Sequence, residues 1–253
     1  MAMMDPSLQG ITTIFFDFMG TCLDWHTGVT ASFPDRIPLS TRTQLSLAWR
    51  ESFFADIHSR FEKGLPPEDI DRTHARLLAQ LLEHEFGDWS LSEAEQAAAV
   101  RSWHAMRAWP DISMTLQHLR AKYEVYVVAN GTTRLQVDLA RSSNLHFDML
   151  FSSQLLGLTK PDPNFYLRAL DLVAARPHET LMVAAHAYDL RAAKDVGFKT
   201  VYIQRETEDL SESMDQVKRD VHFFVDGRDG STSCGLAGVA ALLGVELEDK
   251  LPV

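Results

Sequence analysis

FFDFMGTCLDW, residues 15–25, sets a single carboxylate, Asp17, directly after the apolar run Ile14, Phe15 and Phe16 and just before a Gly-Thr turn. A short apolar run ended by turn residues reads as a buried strand, here Ile11 to Phe16. A carboxylate at the end of such a strand emerges at the sheet's carboxyl edge, where open α/β sheets bind their ligands. Met19 follows two places later, and it has no proton to give at any pH. A reaction built on Asp17 therefore cannot use that neighbour as a general acid.

Working outward, further strands are expected at Tyr123–Ala129, Met149–Ser152, Thr180–Ala184 and Thr200–Ile203, with an edge strand at His222–Val225. Helical patterns separate most of them, at MTLQHLRAKY, Thr133–Ser142, Asn164–Ala174 and Asp189–Val196. Strands alternating with helices imply right-handed crossovers and a mostly parallel, Rossmann-like sheet of the α/β class. Asn130 and Asp189 then emerge at the same edge as Asp17. Residues 26–110 break the alternation. Thr43–Phe61, Asp69–Phe86 and Ser92–Met106 carry apolar residues at helical spacing, with Ser90 or Ser92 as an N-cap. The expected organisation is a core of residues 1–25 and 111–253 with a helical cap of residues 26–110 inserted into it. Glu206 to Lys218 reads as a solvated loop or helix and nothing more.

Bulk properties narrow the function classes. The 253-residue chain is 45% hydrophobic, ample for a packed core, and its formal charge of −11 argues against a nucleic-acid partner. Cys22 and Cys234 are the two cysteines, far apart, which suggests neither a disulfide framework nor a zinc site. The N-terminal MAMMDPSLQG lacks the pattern of a signal peptide, and no apolar run approaches the roughly 20 residues of a membrane span. A cytoplasmic protein with no membrane partner is the expectation.

Four motifs, DFMGT, ANGTT, KPDPNFY and AAHAYD, lie in that order around the helical insertion. Together they resemble the haloacid dehalogenase superfamily, and more narrowly its type II L-2-haloacid dehalogenase branch, over nearly the whole chain. The resemblance implies a metal-independent hydrolase with no cofactor, acting on a small, anionic 2-haloalkanoic acid. Asp17 would be the nucleophile that displaces halide to form an ester, steadied by Thr21. Lys160 would compensate its charge, and Asp189 would orient Lys160 and activate the water that cleaves the ester. Arg50 and Asn130 would receive the halide. Met19, His186, Tyr188 and Trp25 are candidate pocket residues, with Trp49, Phe53, Phe54 and Trp103 as further aromatics that at helical spacing build core.

The pattern also departs from that branch. Met19 stands where an aromatic is usual, Ala129 and Ala185 where serines occur, His186 for asparagine and Tyr188 for tryptophan. Ala185 also stands where a magnesium-dependent phosphatase of the superfamily has an acid, which leaves Asp189 alone in that motif. The alternatives are a hydrolase of the same fold acting on a larger ester or lactone, a magnesium-dependent phosphatase, and a non-catalytic binding protein. The apolar cap helices permit a homodimer.

Overall fold

The computed structural model describes residues 3–66, 68–228 and 231–247; the extreme ends of the expected core segments, and residues 229–230, lie outside them. In chain order, strand β1 (Thr13–Phe16) is followed by the short β2 (Leu23–Asp24) and four helices, α1 (Trp25–Ser32), α2 (Leu39–Glu62), α3 (Ile70–His84) and α4 (Glu93–Ser102). After β3 (Arg107–Ala108) come α5 (Ile112–Arg120), β4 (Glu124–Ala129), α6 (Thr133–Ser143), β5 (Met149–Ser152), α7 (Ser153–Leu156) and α8 (Pro163–Leu172). The chain then forms β6 (Thr180–Ala184), α9 (Ala187–Val196), β7 (Lys199–Gln204), α10 (Met214–Asp220), β8 (Phe223–Asp226) and α11 (Leu236–Leu242). It divides into two compact units, an α/β unit of residues 1–23 and 108–253 and a helical unit of residues 24–107.

In the α/β unit the described strands form a six-stranded sheet of order β5-β4-β1-β6-β7-β8. The neighbouring pairs run parallel, with Phe16 opposite Val127 of β4 and Val183 of β6. All four residues of β1 are buried, as a central strand covered on both faces requires. On one face Phe15, Tyr126, Met182 and Tyr202 pack with Phe165, Tyr166 and Phe198 in a single core cluster. Each such large apolar side chain contributes about 1.5–3 kcal/mol on burial. The chain builds outward on one side of β1 through β4 and β5, and on the other through β6, β7 and β8. The crevice between β1 and β6 is thus the point where strand order reverses, the place where sheets of this kind hold ligands.

The helical unit is held by an aromatic cluster. Trp25 stacks on Trp103 with centroids 5.4 Å apart, and His74 lies between Phe53 at 4.5 Å and Trp103 at 4.2 Å. Arg50 is buried here, its guanidinium 4.4 Å from the Phe54 ring centroid and 5.3 Å from that of Trp25. Burial, reinforced by Arg50, holds the His74 pKa well below its ordinary value, so that ring is neutral. Ser92 caps α4 in a reciprocal capping box with Glu95.

Candidate active site

The end of β1 fixes Asp17. Its amide donates to Val183 O at 3.0 Å, which continues the ladder one residue beyond the strand. Gly20 then turns the chain with φ +85°, a conformation that favours glycine. The turn is tied down by Gly20 N–H to Leu23 O at 3.1 Å and by Trp109 Nε1 to Gly20 O at 2.9 Å. The turn brings Thr21 back over the carboxylate. Its hydroxyl donates to Asp17 Oδ2 at 2.7 Å and accepts from Ala185 N at 2.8 Å, so β1 and β6 are joined at their ends through one side chain.

Two cations meet Asp17. Lys160, just before the start of α8, places Nζ 2.8 Å from Asp17 Oδ1 and 2.5 Å from Asp189 Oδ2. His186, at the end of β6, sets Nδ1 3.0 Å from Asp17 Oδ2. Burial alone would push the Asp17 carboxyl up, but Lys160 and then His186 overcome it and hold the group far below the usual carboxylate range. Lys160 is 1% exposed. Burial disfavours its ammonium, yet Asp17 and Asp189 raise its pKa above the ordinary lysine value. Burial dominates at Asp189 and raises its pKa, with Asp17 adding to the effect against Lys160. Asp189 lies in the first turn of α9 but does not cap it. Its Oδ1 accepts from the Tyr166 hydroxyl at 2.5 Å, and the Ala187 N–H is satisfied instead by Asp209 Oδ2 at 2.6 Å.

Asn130 lies beyond β4 and brackets the backbone of Lys160. Its Oδ1 accepts from Lys160 N at 2.9 Å and its Nδ2 donates to Lys160 O at 3.3 Å. The amide expected at the leaving group thus also positions the lysine, using one of its two N–H donors. Met19 is half-buried in the turn and bridges to Leu23. Tyr188 is half-buried, with its ring centroid 6.0 Å from that of His186. Trp25 and Arg50 lie in the helical unit, in the aromatic cluster described above.

One residue of this site escapes sequence reasoning altogether. Glu208, in the stretch expected to be a solvated loop or helix, is 4% exposed, and its Oε2 accepts from His186 Nε2 at 2.7 Å. Its other oxygen accepts from Thr207 Oγ1 at 3.0 Å. The expectation for Glu206 to Lys218 is corrected here: the loop after β7 bends back, so that Glu208 lies against the turn that follows β1. A Cβ built on Gly20 would lie 2.5 Å from the Glu208 carboxylate. Gly20 is thus needed both for its backbone angle and for the room it leaves. Part of the same stretch forms α10, and Glu212 pairs with Arg191 at 2.7 Å.

A divalent cation does not suit these donors. The two carboxylates that could share one, Asp17 and Asp189, are bridged by the Lys160 ammonium, and Ala185 offers no side-chain oxygen. Below the site, the α/β unit is braced by Arg205. Both of its terminal nitrogens bond Asp111, at 2.9 and 2.8 Å, and Nε and Nη2 donate to Thr21 O at 3.2 and 3.1 Å.

Residues 11–197 match the family of haloacid dehalogenase-like hydrolases. The chain belongs to that family. It is 28% identical to (S)-2-haloacid dehalogenase 4A of Burkholderia cepacia over 219 residues, covering 79% of this chain and 85% of the relative. The crystal structure of the L-2-haloacid dehalogenase PA0810 superposes with a TM-score of 0.76 at 31% identity, covering 91% of this chain and 100% of that one. The defluorinating L-2-haloacid dehalogenase Rha0230 superposes with a TM-score of 0.69 at 26% identity, covering 80% of this chain and 85% of that one. The fold expected from the motifs, a mostly parallel α/β core, is the fold of these structures.

Proposed function

We propose that the chain cleaves the carbon–halogen bond of small 2-haloalkanoic acids without a metal ion, with Asp17 as nucleophile. The observation that carries this reading is the state of Asp17, a buried carboxylate kept ionised by the organic cations Lys160 and His186. A carboxylate so held can displace halide in line, with inversion at carbon 2, because a nucleophile sheltered from bulk water needs only to be positioned. The halide leaves as an anion and needs no proton, which suits a turn carrying Met19 where a general acid would otherwise stand. The resulting aspartyl ester is cleaved by water attacking its carbonyl carbon, with Asp189 taking the water's proton. Tyr166 and Lys160 hold Asp189 for that task. For the departing halide we propose Arg50, from the motif resemblance.

The test is halide release from a panel that includes 2-chloropropionate, with and without chelator, by the wild-type protein and D17N. Release that survives chelator and disappears in D17N is expected. Release that requires added magnesium, or that persists in D17N, refutes the reading. A single turnover in heavy-oxygen water should place the label in Asp17; label in the product alone excludes the ester. The altered residues Met19, Ala185 and His186 favour one second reading, the same nucleophile acting on a larger ester or lactone. Turnover of such a compound with no release from any short haloacid would select it.

A further inference from the structure

The three donors on Asp17 are unequally shared between its two oxygens. An ionised carboxylate offers about four lone-pair sites, two on each oxygen. Oδ2 accepts from the Thr21 hydroxyl at 2.7 Å and faces His186 Nδ1 at 3.0 Å, which fills both of its sites. Oδ1 accepts from Lys160 Nζ at 2.8 Å, which leaves it one site. His186 itself lies between two carboxylates, Asp17 on Nδ1 and Glu208 on Nε2 at 2.7 Å. Ionised carboxylates only accept, so an imidazole that bonds both must carry both protons.

We propose that Oδ1 of Asp17 is the attacking oxygen, and that Thr21 and His186 form an oxyanion-binding pair around Oδ2, with Glu208 holding the imidazole as a double donor. This inference rests on the dehalogenase reading above and assigns residues within it. In the first step an Oδ1 lone pair forms the bond to carbon 2 as the carbon–halogen bond breaks and halide departs with the bonding pair. In the second, water oxygen bonds to the Asp17 carboxyl carbon, its proton passes to Asp189, and the carbonyl electron pair moves onto Oδ2. That developing charge falls between two donors already in place, the arrangement that lowers the barrier of acyl-type hydrolysis. The carbonyl then reforms, the bond from the carboxyl carbon to Oδ1 breaks, and Lys160 protonates the departing oxygen and is recharged from Asp189. Asp17, now carrying one oxygen from water, loses its remaining proton to solvent and is again the ionised nucleophile. His186 is thus a catalytic residue and Glu208 a positioning residue that acts through it.

The charged groups facing His186 agree with this role. Asp17 approaches from the end of β1, and Glu208 and Asp209 from the loop after β7, while Lys160 lies across Asp17. Burial penalises the imidazolium, but Asp17 and then Glu208 outweigh it and raise the His186 pKa to about 10. The donor form therefore persists across the neutral range.

The experiment is rapid-quench turnover of 2-chloropropionate by wild type, H186A, H186N and E208Q, with chloride measured against time and the aspartyl ester followed by intact-protein mass spectrometry. H186A is expected to give a burst of one chloride per enzyme with ester accumulating, and ester hydrolysis slowed about 10²- to 10³-fold, the usual loss for one oxyanion donor. H186N, which can still donate from a neutral amide, should recover part of that loss. E208Q should move the alkaline limb of ester hydrolysis to lower pH. Chloride release and turnover that fall together without ester in the His186 variants overturn the proposal, as does unchanged turnover. Wild type that releases no chloride overturns the dehalogenase reading itself, which separates the two failures.

Discussion

Replacing Gly20 by alanine tests the joint between the nucleophile's turn and the loop that carries Glu208. Two separate costs can be worked from the geometry. At φ +85° an alanine is strained, and a left-handed backbone costs a residue with a Cβ about 1–2 kcal/mol. The new Cβ would also lie 2.5 Å from the Glu208 carboxyl carbon and Oε2 and 2.9 Å from Oε1, so the carboxylate must move. Moving it forfeits the 2.7 Å bond to His186, a charge-assisted contact of a class worth about 1.5–3 kcal/mol. G20A should therefore destabilise the α/β unit by about 2.5–5 kcal/mol in the wild-type background, the sum of the backbone and hydrogen-bond costs.

In an E208A background the second cost is absent, and G20A should lose only the backbone share of about 1–2 kcal/mol. The difference between the backgrounds is the coupling, expected at about 1.5–3 kcal/mol, within the range seen for residues in contact. Four proteins complete the cycle: wild type, G20A, E208A and the double variant. Because the chain has two compact units, stability is best read by amide exchange at β1 and β6, which reports the α/β unit alone. An equal cost for G20A in both backgrounds would refute the placement of Glu208 over the turn, and with it the support that keeps His186 protonated.

Three further outcomes follow from the same geometry. A histidine whose folded pKa is raised contributes stability that is fully present below its unfolded value of about 6.5 and is lost as pH rises toward the folded value. With His186 raised to about 10, urea unfolding should show stability falling between those limits in wild type, and a flatter profile in H186N; parallel profiles would contradict the imidazolium. R205A leaves the fully buried Asp111 without its ion partner and should cost about 3–5 kcal/mol by urea denaturation, with R205K intermediate because lysine cannot supply the forked contact. K160M removes the cation with the larger effect on Asp17 and should raise the pKa of that carboxyl. The acidic limb of kcat/KM for halide release should then move to higher pH, and an unmoved limb would show that Lys160 does not set the ionisation of Asp17.

The parts of this molecule legible in its sequence are those whose cause is local. Buried parallel strands are short apolar runs closed by turn residues, so β1, β4, β5, β6 and β7 can be found from composition and punctuation, to within a residue or two at each end. Asp17, Lys160 and Asp189 stand in recognisable contiguous motifs, and the sheet brings all three into one hydrogen-bonded chain. Asn130 shows the limit of a motif. Its type is fixed by ANGTT, but only the fold reveals that both ends of its amide are turned on the backbone of Lys160. Asp189 shows another, since a carboxylate in a helix's first turn reads as a cap, while the Ala187 N–H is capped by Asp209, twenty-two residues beyond it.

Glu208 is the instructive failure, because nothing in ETEDLSES separates a buried glutamate from its solvated neighbours. Its burial has no local cause: it depends on β7 lying beside β6, and on the loop beyond β7 bending back to the turn after β1. Two residues elsewhere nevertheless carry the trace. A histidine in AAHAYD with an acceptor on one nitrogen needs a second on the other if it is to stay charged in a dry site. A glycine in DFMGT leaves a volume that some side chain must fill. Each is uninformative alone, since turns need glycines and turns carry histidines. Taken together they state a demand for a distant carboxylate, and in this fold the chain meets it with Glu208. The substitution of histidine at that place in the motif is then no isolated change of pocket shape: it adds a second cation on Asp17, and Glu208 is what allows that cation to persist in a buried site.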